Sequence, residues 1–511
     1  MSLFSLVFFS VAVALVCRAV PRAYRWSVLL TASMLFYLSE SPAALPVLII
    51  MSLWTWYCAR KIGSANTPVP AGLSREEKKA RRAAIRAVHK RWLTAGLCAD
   101  FAVLAVFKYL NDVRVLVGAS RLGILLPLGL SFYTFQITGY LLDVYGGKTK
   151  PEESPLRFLL FASFFPQLIQ GPIARYDALA PQLREPKDLD MDGLVRAALL
   201  MLYGLMKKLV IADRLAPLVS AVFDGGNLGG AAALVGVLAY SAQQYCDFSG
   251  GIDLVTGAAE LFGVRLAPNF RRPYFSVSLA DFWRRWHISL GSWMRDYVFY
   301  PFALSRPVSR LSKRAGARFG QAIARTIPAA AGNLLVFLLV GLWHGASLNY
   351  IAWGLYNGLI LAVSSVLEPA YKGWNERHAA LSASSVFHVL RVVRTFAVVN
   401  IGWFFDRSAH PADAFRMIGS MATRFAPQEL TPTFFETAGM TAPDGMVLAC
   451  ALAVVFCVSL LGERGMDVRE RIASLPYIPR LLLVLFACCS IVIFGVWGSG
   501  FDASAFIYNG F

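Results

Sequence analysis

Charge is scarce in this 511-residue chain: 16% of its residues are charged and 57% are hydrophobic. A soluble globule needs about a quarter of its residues charged to cover its surface, so that class is excluded. Cysteine is equally uninformative as chemistry. Of eight, seven (Cys17, Cys58, Cys98, Cys450, Cys457, Cys488 and Cys489) lie in or beside apolar runs, where a thiol acts as a small hydrophobe. No C-x-x-C spacing points to metal or redox work, and Cys246, in QQYCDFSGG, differs only in its neighbours. The chain also lacks a G-x-S-x-G elbow, a Walker sequence and an H-E-x-x-H pair. There is no internal period, no low-complexity linker and no soluble segment of any size, so residues 1–511 read as one membrane domain.

What is abundant is apolar sequence in runs that approach the roughly 20 residues needed to cross a bilayer. SLFSLVFFSVAVALVC, WSVLLTASMLFYL, ALPVLIIMSLWTWY, WLTAGLCADFAVLAVFKYL, ILLPLGLSFYTFQITGYLL and PLRFLLFASFFPQLI come first. Others follow at 193–222, 231–249, 327–343, 348–367, 386–405, 445–462 and 480–497. The expectation is an all-α polytopic membrane protein with 11–13 transmembrane or re-entrant helices. The first run lacks a basic leader and an A-x-A-like end, which favours a retained span over a cleaved signal.

The formal net charge of +18 suggests nucleic acid at first sight. Yet Lys and Arg concentrate in short stretches between apolar runs, which the positive-inside rule explains without a nucleic-acid partner. SREEKKARRAAIRAVHKR (74–91), RPVSRLSKRAGAR (306–318) and the group Arg18, Arg22 and Arg25 are read as cytoplasmic, the first two as basic loops. The N-terminus is then extracytoplasmic.

Between about 240 and 300 the composition shifts, with Trp, Tyr, Phe, Arg and Asp mixed together. A lipid-facing helix does not carry so many charges, each costing about 2.5–3.5 kcal/mol at the bilayer centre. This segment lies at an interface, re-enters, or lines a wet cavity. It contains one of two histidines that resist a bland reading. Read as a helix, DFWRRWHISLGSWMRDY places Trp283, Trp286, Leu290, Trp293 and Tyr297 on one stripe. Arg284, His287, Gly291 and Arg295 form a second, suited to an anionic or polar ligand. The alternative is an interfacial helix with an aromatic belt and snorkelling arginines.

The other histidine, His344, sits in LVGLWHGASLNYIAWGLYNG. Gly341-x-x-x-Gly345 and Gly354-x-x-x-Gly358 are spacings that let membrane helices pack closely, so its side chain faces protein. Buried there, it is either a structural histidine bonded to a neighbouring helix or a general base, its unperturbed pKa of about 6.5 favouring the proton-accepting form. Ser249 and Ser347 are nucleophile candidates by type alone, and Asp247, Asp253, Asp281 and Asp296 could orient histidine or pair arginine. The economical chemistry is direct transfer: a bound hydroxyl, deprotonated by histidine, attacks an acyl donor.

DFWRRWHISLGSWMRDYVFYPF, followed 57 residues after His287 by His344 in GLWHGAS, resembles the membrane-bound O-acyltransferase family, in its bacterial branch that acylates cell-surface polymers. LPLGLSFYTFQITGYLLDVYGGK, FFPQLIQGPIARYDALAPQL, YCDFSGGIDLVTGAAELFGVRLAPNFRRPY and IGWFFDRS fit the same branch, and the match covers 95–410 as a catalytic core. The resemblance implies a central funnel or tunnel, with His344 as the family's central histidine and His287 as a second, nearer the cytoplasm. A cytoplasmic thioester, acetyl-CoA or an acyl carrier, supplies the acyl group, with no tightly bound cofactor or metal. Trp343, Trp286, Arg284, Arg295 and Asp296 shape the donor route. Partners implied are membrane lipid and an extracytoplasmic acyltransferase or acyl-carrier protein.

The WRRWHISL and MRDY stretch favours the alginate O-acetylation type over teichoic-acid D-alanyl transfer. Where that type usually continues toward a glycine-rich segment, this chain has VFYPFALSRPVSRLSKRAG, so the resemblance does not reach alginate as acceptor. FGVWGSGFDASAFIYNGF resembles other bacterial acetylation-type members whose polymer substrate is unassigned. A polytopic transporter also needs intramembrane polar residues, but no inverted repeat or paired broken helices suggest one.

Overall fold

In lipid every backbone N–H and C=O must find its partner within the protein, and an apolar chain solves this by coiling into helices. The structure, a computed structural model, describes residues 3–65, 74–123, 126–168, 170–188, 190–226 and 228–497. Among them there is no strand, only an isolated antiparallel bridge between Phe270 and Trp286. The stretch from residue 498 to the end, including most of FGVWGSGFDASAFIYNGF, lies outside the described residues.

The chain, expected as a single membrane domain over 1–511, divides into two compact units. They are Met1–Met201 with Val255–Ala267, and Leu202–Leu254 with Pro268–Phe511. Among the described residues, six helices are long and apolar enough to span a membrane: Pro42–Ser64, Arg75–Val115, Gln321–His344, Ser385–Arg407, Ala442–Glu463 and Tyr477–Phe494. A seventh candidate is the pair Leu348–Val366 and Glu368–Arg377, bent by 56°. Of the remaining apolar runs, several fold into shorter helices, such as Arg25–Glu40 and Leu130–Tyr145, while 231–249 lies in the 31-residue helix Gly230–Glu260. The run at 193–222 is interrupted by a π-helical turn, Met206–Ala212.

In the first unit, residues 74–91 are not a loop. Ser74 and Glu77 form a reciprocal capping box that starts a helix running from Arg75 to Leu116. At 1.5 Å per residue it is roughly 60 Å long, twice the hydrocarbon thickness of about 30 Å. The basic half therefore projects beyond the apolar half. Two buried carboxylates here are paired: Thr55 donates to Asp100 at 2.7 Å, and the Glu152 carboxylate takes both Tyr176 and Arg184.

In the second unit the long helices present apolar side chains outward. On Tyr477–Phe494, Phe486 and Ile493 are 72% and 69% exposed, tolerable against lipid and costly in water. Residues 306–318 are likewise helical, in Arg306–Phe319, with Val308 buried and Ser312 Oγ donating to the Ala324 carbonyl at 2.6 Å. The Gln321–His344 and Leu348–Val366 helices cross at the two glycine pairs. A Cβ on Gly341 would sit 2.5 Å from the Tyr350 carbonyl oxygen, and one on Gly354 2.5 Å from that of Phe337. The anticipated small-residue contact is thus the crossing point itself, and it places His344 at the end of its helix.

Candidate active site

The Gln321–His344 helix stops at His344 because Gly345 adopts an extended conformation that cannot continue it. The imidazole, 5% exposed, is enclosed by the rings of Trp343, Trp353 and Tyr350 at centroid distances of 5.0, 5.1 and 5.7 Å. Its neighbours come from its own helix end and from the start of Leu348–Val366, the arrangement that the glycine crossing dictates.

His287 is held differently. The continuous helix expected for DFWRRWHISLGSWMRDY is broken into Leu279–Arg285 and Ile288–Met294, with Trp286 extended and His287 in the left-handed region at φ 47°. A non-glycine residue there is strained and needs its surroundings to hold it. Those surroundings are the 269–271 backbone: Arg271 N donates to Arg285 O at 2.8 Å, and Ile288 N to Asn269 O at 3.0 Å. The Asn269 side chain completes the clamp. Its Oδ1 accepts from Ser289 N at 2.9 Å and Ser289 Oγ at 2.8 Å, and lies 3.2 Å from His287 Nδ1. A backbone N–H can only donate, so the atom facing it is oxygen. Nδ1 therefore carries the proton, and Nε2 is the basic nitrogen. Burial pushes the His287 pKa down to about 3, which keeps the ring neutral.

Both histidines line one cavity of about 420 Å³, built wholly from the second unit. Trp343 lies between their rings, 6.4 Å from His287 and 5.0 Å from His344. Arg284, Trp286, Gly291 and Arg295 line the cavity as expected, although the helix that was to align them is broken. The division into two stripes fails with it: Trp283 and Leu290 also line the cavity, while Trp293 and Tyr297 pack on each other at 5.2 Å. Trp343 and Asp296 are not wall residues. Trp343 backs the histidines, and Asp296 pairs with Arg295 at 3.1 Å.

The serine and aspartate candidates are elsewhere. Asp281 pairs with Arg284 and Arg285, and Ser347 stands just before the first residue of the Leu348–Val366 helix without a capping hydrogen bond from its side chain. Asp247, Asp253 and Ser249 belong to a buried ion network that the sequence reading missed. Lys207 reaches Asp253 at 2.5 Å and Ser249 at 2.9 Å; Lys208 reaches Asp247 at 2.7 Å and Asp213 at 2.9 Å. Both lysines are 2% exposed and sit on the π-helical turn. Such pairs stay buried only when each charge is matched.

Unforeseen cavity residues are Gln244, Asn333, Trp353, Trp403 and Asp406. Asp406 is the lone carboxylate of the Ser385–Arg407 helix, and its place near the end of that helix was the available signal. Asn333 and His344 are eleven residues apart on one helix, so the cavity extends roughly 16 Å along it. The Phe299 ring fills the space beside Gly332, which sets the Arg295–Phe299 turn at the end remote from His344.

A helical membrane protein with two buried histidines in one polar-lined cavity defines the class. The model of MBOAT, the membrane-bound O-acyltransferase family, matches residues 153–317. The chain is 34% identical over 409 residues to a probable alginate O-acetylase of Pseudomonas syringae pv. tomato, covering 78% of this chain and 70% of the relative. It is 30% identical over 435 residues to a peptidoglycan O-acetyltransferase of Helicobacter pylori, covering 78% and 73%. To a teichoic acid D-alanyltransferase of Bacillus subtilis it is 30% identical over 284 residues, covering 54% and 67%. The chain belongs to the membrane-bound O-acyltransferase family and is a multi-pass membrane acyltransferase.

Proposed function

We propose that this chain moves an acetyl group from a cytoplasmic thioester, acetyl-CoA or an acyl carrier, to a hydroxyl of a cell-surface polysaccharide or of its carrier protein. The observation that carries this reading is the meeting of His344 and His287 in a single buried cavity. His344 takes the proton of the acceptor hydroxyl as its oxygen attacks the thioester carbonyl. The C–S bond breaks, an ester forms, and the thiolate leaves and takes a proton. His287, neutral and fixed by Asn269, positions the thioester end. Arg295 and Arg284 meet the anionic donor with forked cations, Trp286 shapes its route, and Trp343 supports the two histidines from behind. The protein resides in the cytoplasmic membrane with its N-terminus extracytoplasmic, and an extracytoplasmic acyltransferase or acyl-carrier protein completes polymer modification.

The two acetylating relatives are matched over 78% of this chain, against 54% for the D-alanyl relative, which favours acetyl. Supplying purified protein with labelled acetyl-CoA or with an aminoacyl carrier separates the two donors. For the base, His344→Ala should lower transfer by about 10²–10⁴-fold while the protein remains folded in detergent. A folded His344→Ala protein with normal transfer would remove His344 from the chemistry.

A further inference from the structure

The cavity is lined by two polar side chains that the histidine chemistry does not use. Asp406 is 5% exposed and lines the cavity. One of its oxygens, Oδ2, is held by the Tyr240 hydroxyl at 2.6 Å, which fixes the carboxylate and leaves Oδ1 for the cavity. Tyr350, stacked on His344, is within electrostatic reach of Asp406. One helical turn beyond Tyr240, on the same face, Gln244 also lines the cavity. It is 2% exposed, and its carboxamide oxygen makes no hydrogen bond. A buried amide oxygen without a donor costs free energy unless a ligand supplies one.

We propose that Asp406 and Gln244 form the acceptor subsite, selecting an uncharged, multiply hydroxylated sugar over a uronate or a phosphorylated polyol. The inference rests on the acyl-transfer reading above. Neighbouring hydroxyls of a sugar donate to the Asp406 and Gln244 oxygens, and Trp403, one helical turn before Asp406, adds apolar surface to the same cavity. A carboxylate or phosphate brought to the same place meets a like charge held in place by Tyr240, which disfavours its binding in a desolvated site. The cations do not cancel this selection. Arg295 is engaged by Asp296 at the remote end, Arg284 is paired with Asp281 at 3.6 Å, and Arg407, next to Asp406, is paired with Asp224 at 2.6 Å. Tyr240 acts as a positioning residue.

The test uses the full chain in liposomes with acetyl-labelled acetyl-CoA and three acceptors: a neutral hexose oligosaccharide, an oligouronate of equal length, and a peptide bearing serine and tyrosine hydroxyls. Wild type should prefer the neutral sugar by more than about tenfold. Asp406→Asn should erase most of that preference by improving use of the oligouronate. Gln244→Leu should raise the neutral sugar's KM about three- to tenfold with kcat little changed, and Tyr240→Phe should shift selectivity in the Asp406→Asn direction by less. Acceptor-free thioester hydrolysis and thermal unfolding show which variants are folded. Equal use of both sugars by wild type, transfer to the peptide alone, or unaltered preference in folded Asp406→Asn and Gln244→Leu proteins overturns the subsite. Loss of transfer to all acceptors in His344→Ala, alongside unaltered selectivity in these variants, overturns the subsite alone; normal transfer by His344→Ala overturns the base assignment.

Discussion

The two histidines reach one cavity by opposite means. His344 is placed by apolar packing: a regular helix, a close glycine crossing and an aromatic enclosure. His287 is placed by hydrogen bonds, on a backbone turned into the left-handed region and clamped by Asn269. Close packing tolerates no added volume, whereas a polar clamp tolerates volume and fails when one acceptor is removed. The difference also separates roles: a packed wall gives a base a dry, fixed setting, and a hydrogen-bonded ring has its tautomer chosen for it.

That contrast is broken most severely at the crossing. Gly354→Leu drives a side chain into the Phe337 carbonyl and should destabilise by more than about 1–3 kcal/mol, read as a lowered unfolding temperature in detergent. An unchanged temperature would mean that the two helices are free to separate. Next comes the clamp. Asn269→Ala strips the buried Ser289 N–H and His287 Nδ1–H of their shared acceptor and should cost about 1–3 kcal/mol, with transfer falling further than stability alone explains. Activity tracking the folded fraction would make Asn269 merely structural. Smallest is Gly291→Ala, in the cavity wall beside His287. A Cβ there would lie 3.6 Å from the Trp283 carbonyl oxygen, an ordinary contact, so stability should move by less than about 0.5 kcal/mol. The same measurement on Gly354→Ala should show a clear loss, since its added carbon meets backbone at 2.5 Å.

Much of the His344 side was legible. Composition required helices in lipid, and the G-x-x-x-G spacings marked a crossing because only small residues let two helix backbones approach so closely. The 280–300 segment was legible as polar and cavity-lining, but not as broken. Its spacing satisfied a 3.6-residue period, and nothing in DFWRRWHISL announces a left-handed histidine. The break is stabilised by Asn269, eighteen residues upstream, and local periodicity does not carry contacts at that separation. Lys207 and Lys208 were overlooked for a related reason: their carboxylate partners at 247 and 253 are distant in sequence, so each alone looked like a charge in an apolar run.

By itself the sequence determined the membrane class, the helical architecture and the family, because each follows from composition, short-range spacing or motif. Tertiary structure decided which residues share the cavity. It brought Asp406 against Tyr240 and Gln244, set Trp343 behind the histidines rather than in the wall, and drew Asp247, Asp253 and Ser249 away into an ion network. Burial and pairing are properties of chain segments brought together from far apart, and the free energy that settles them lies in contacts that no local pattern encodes.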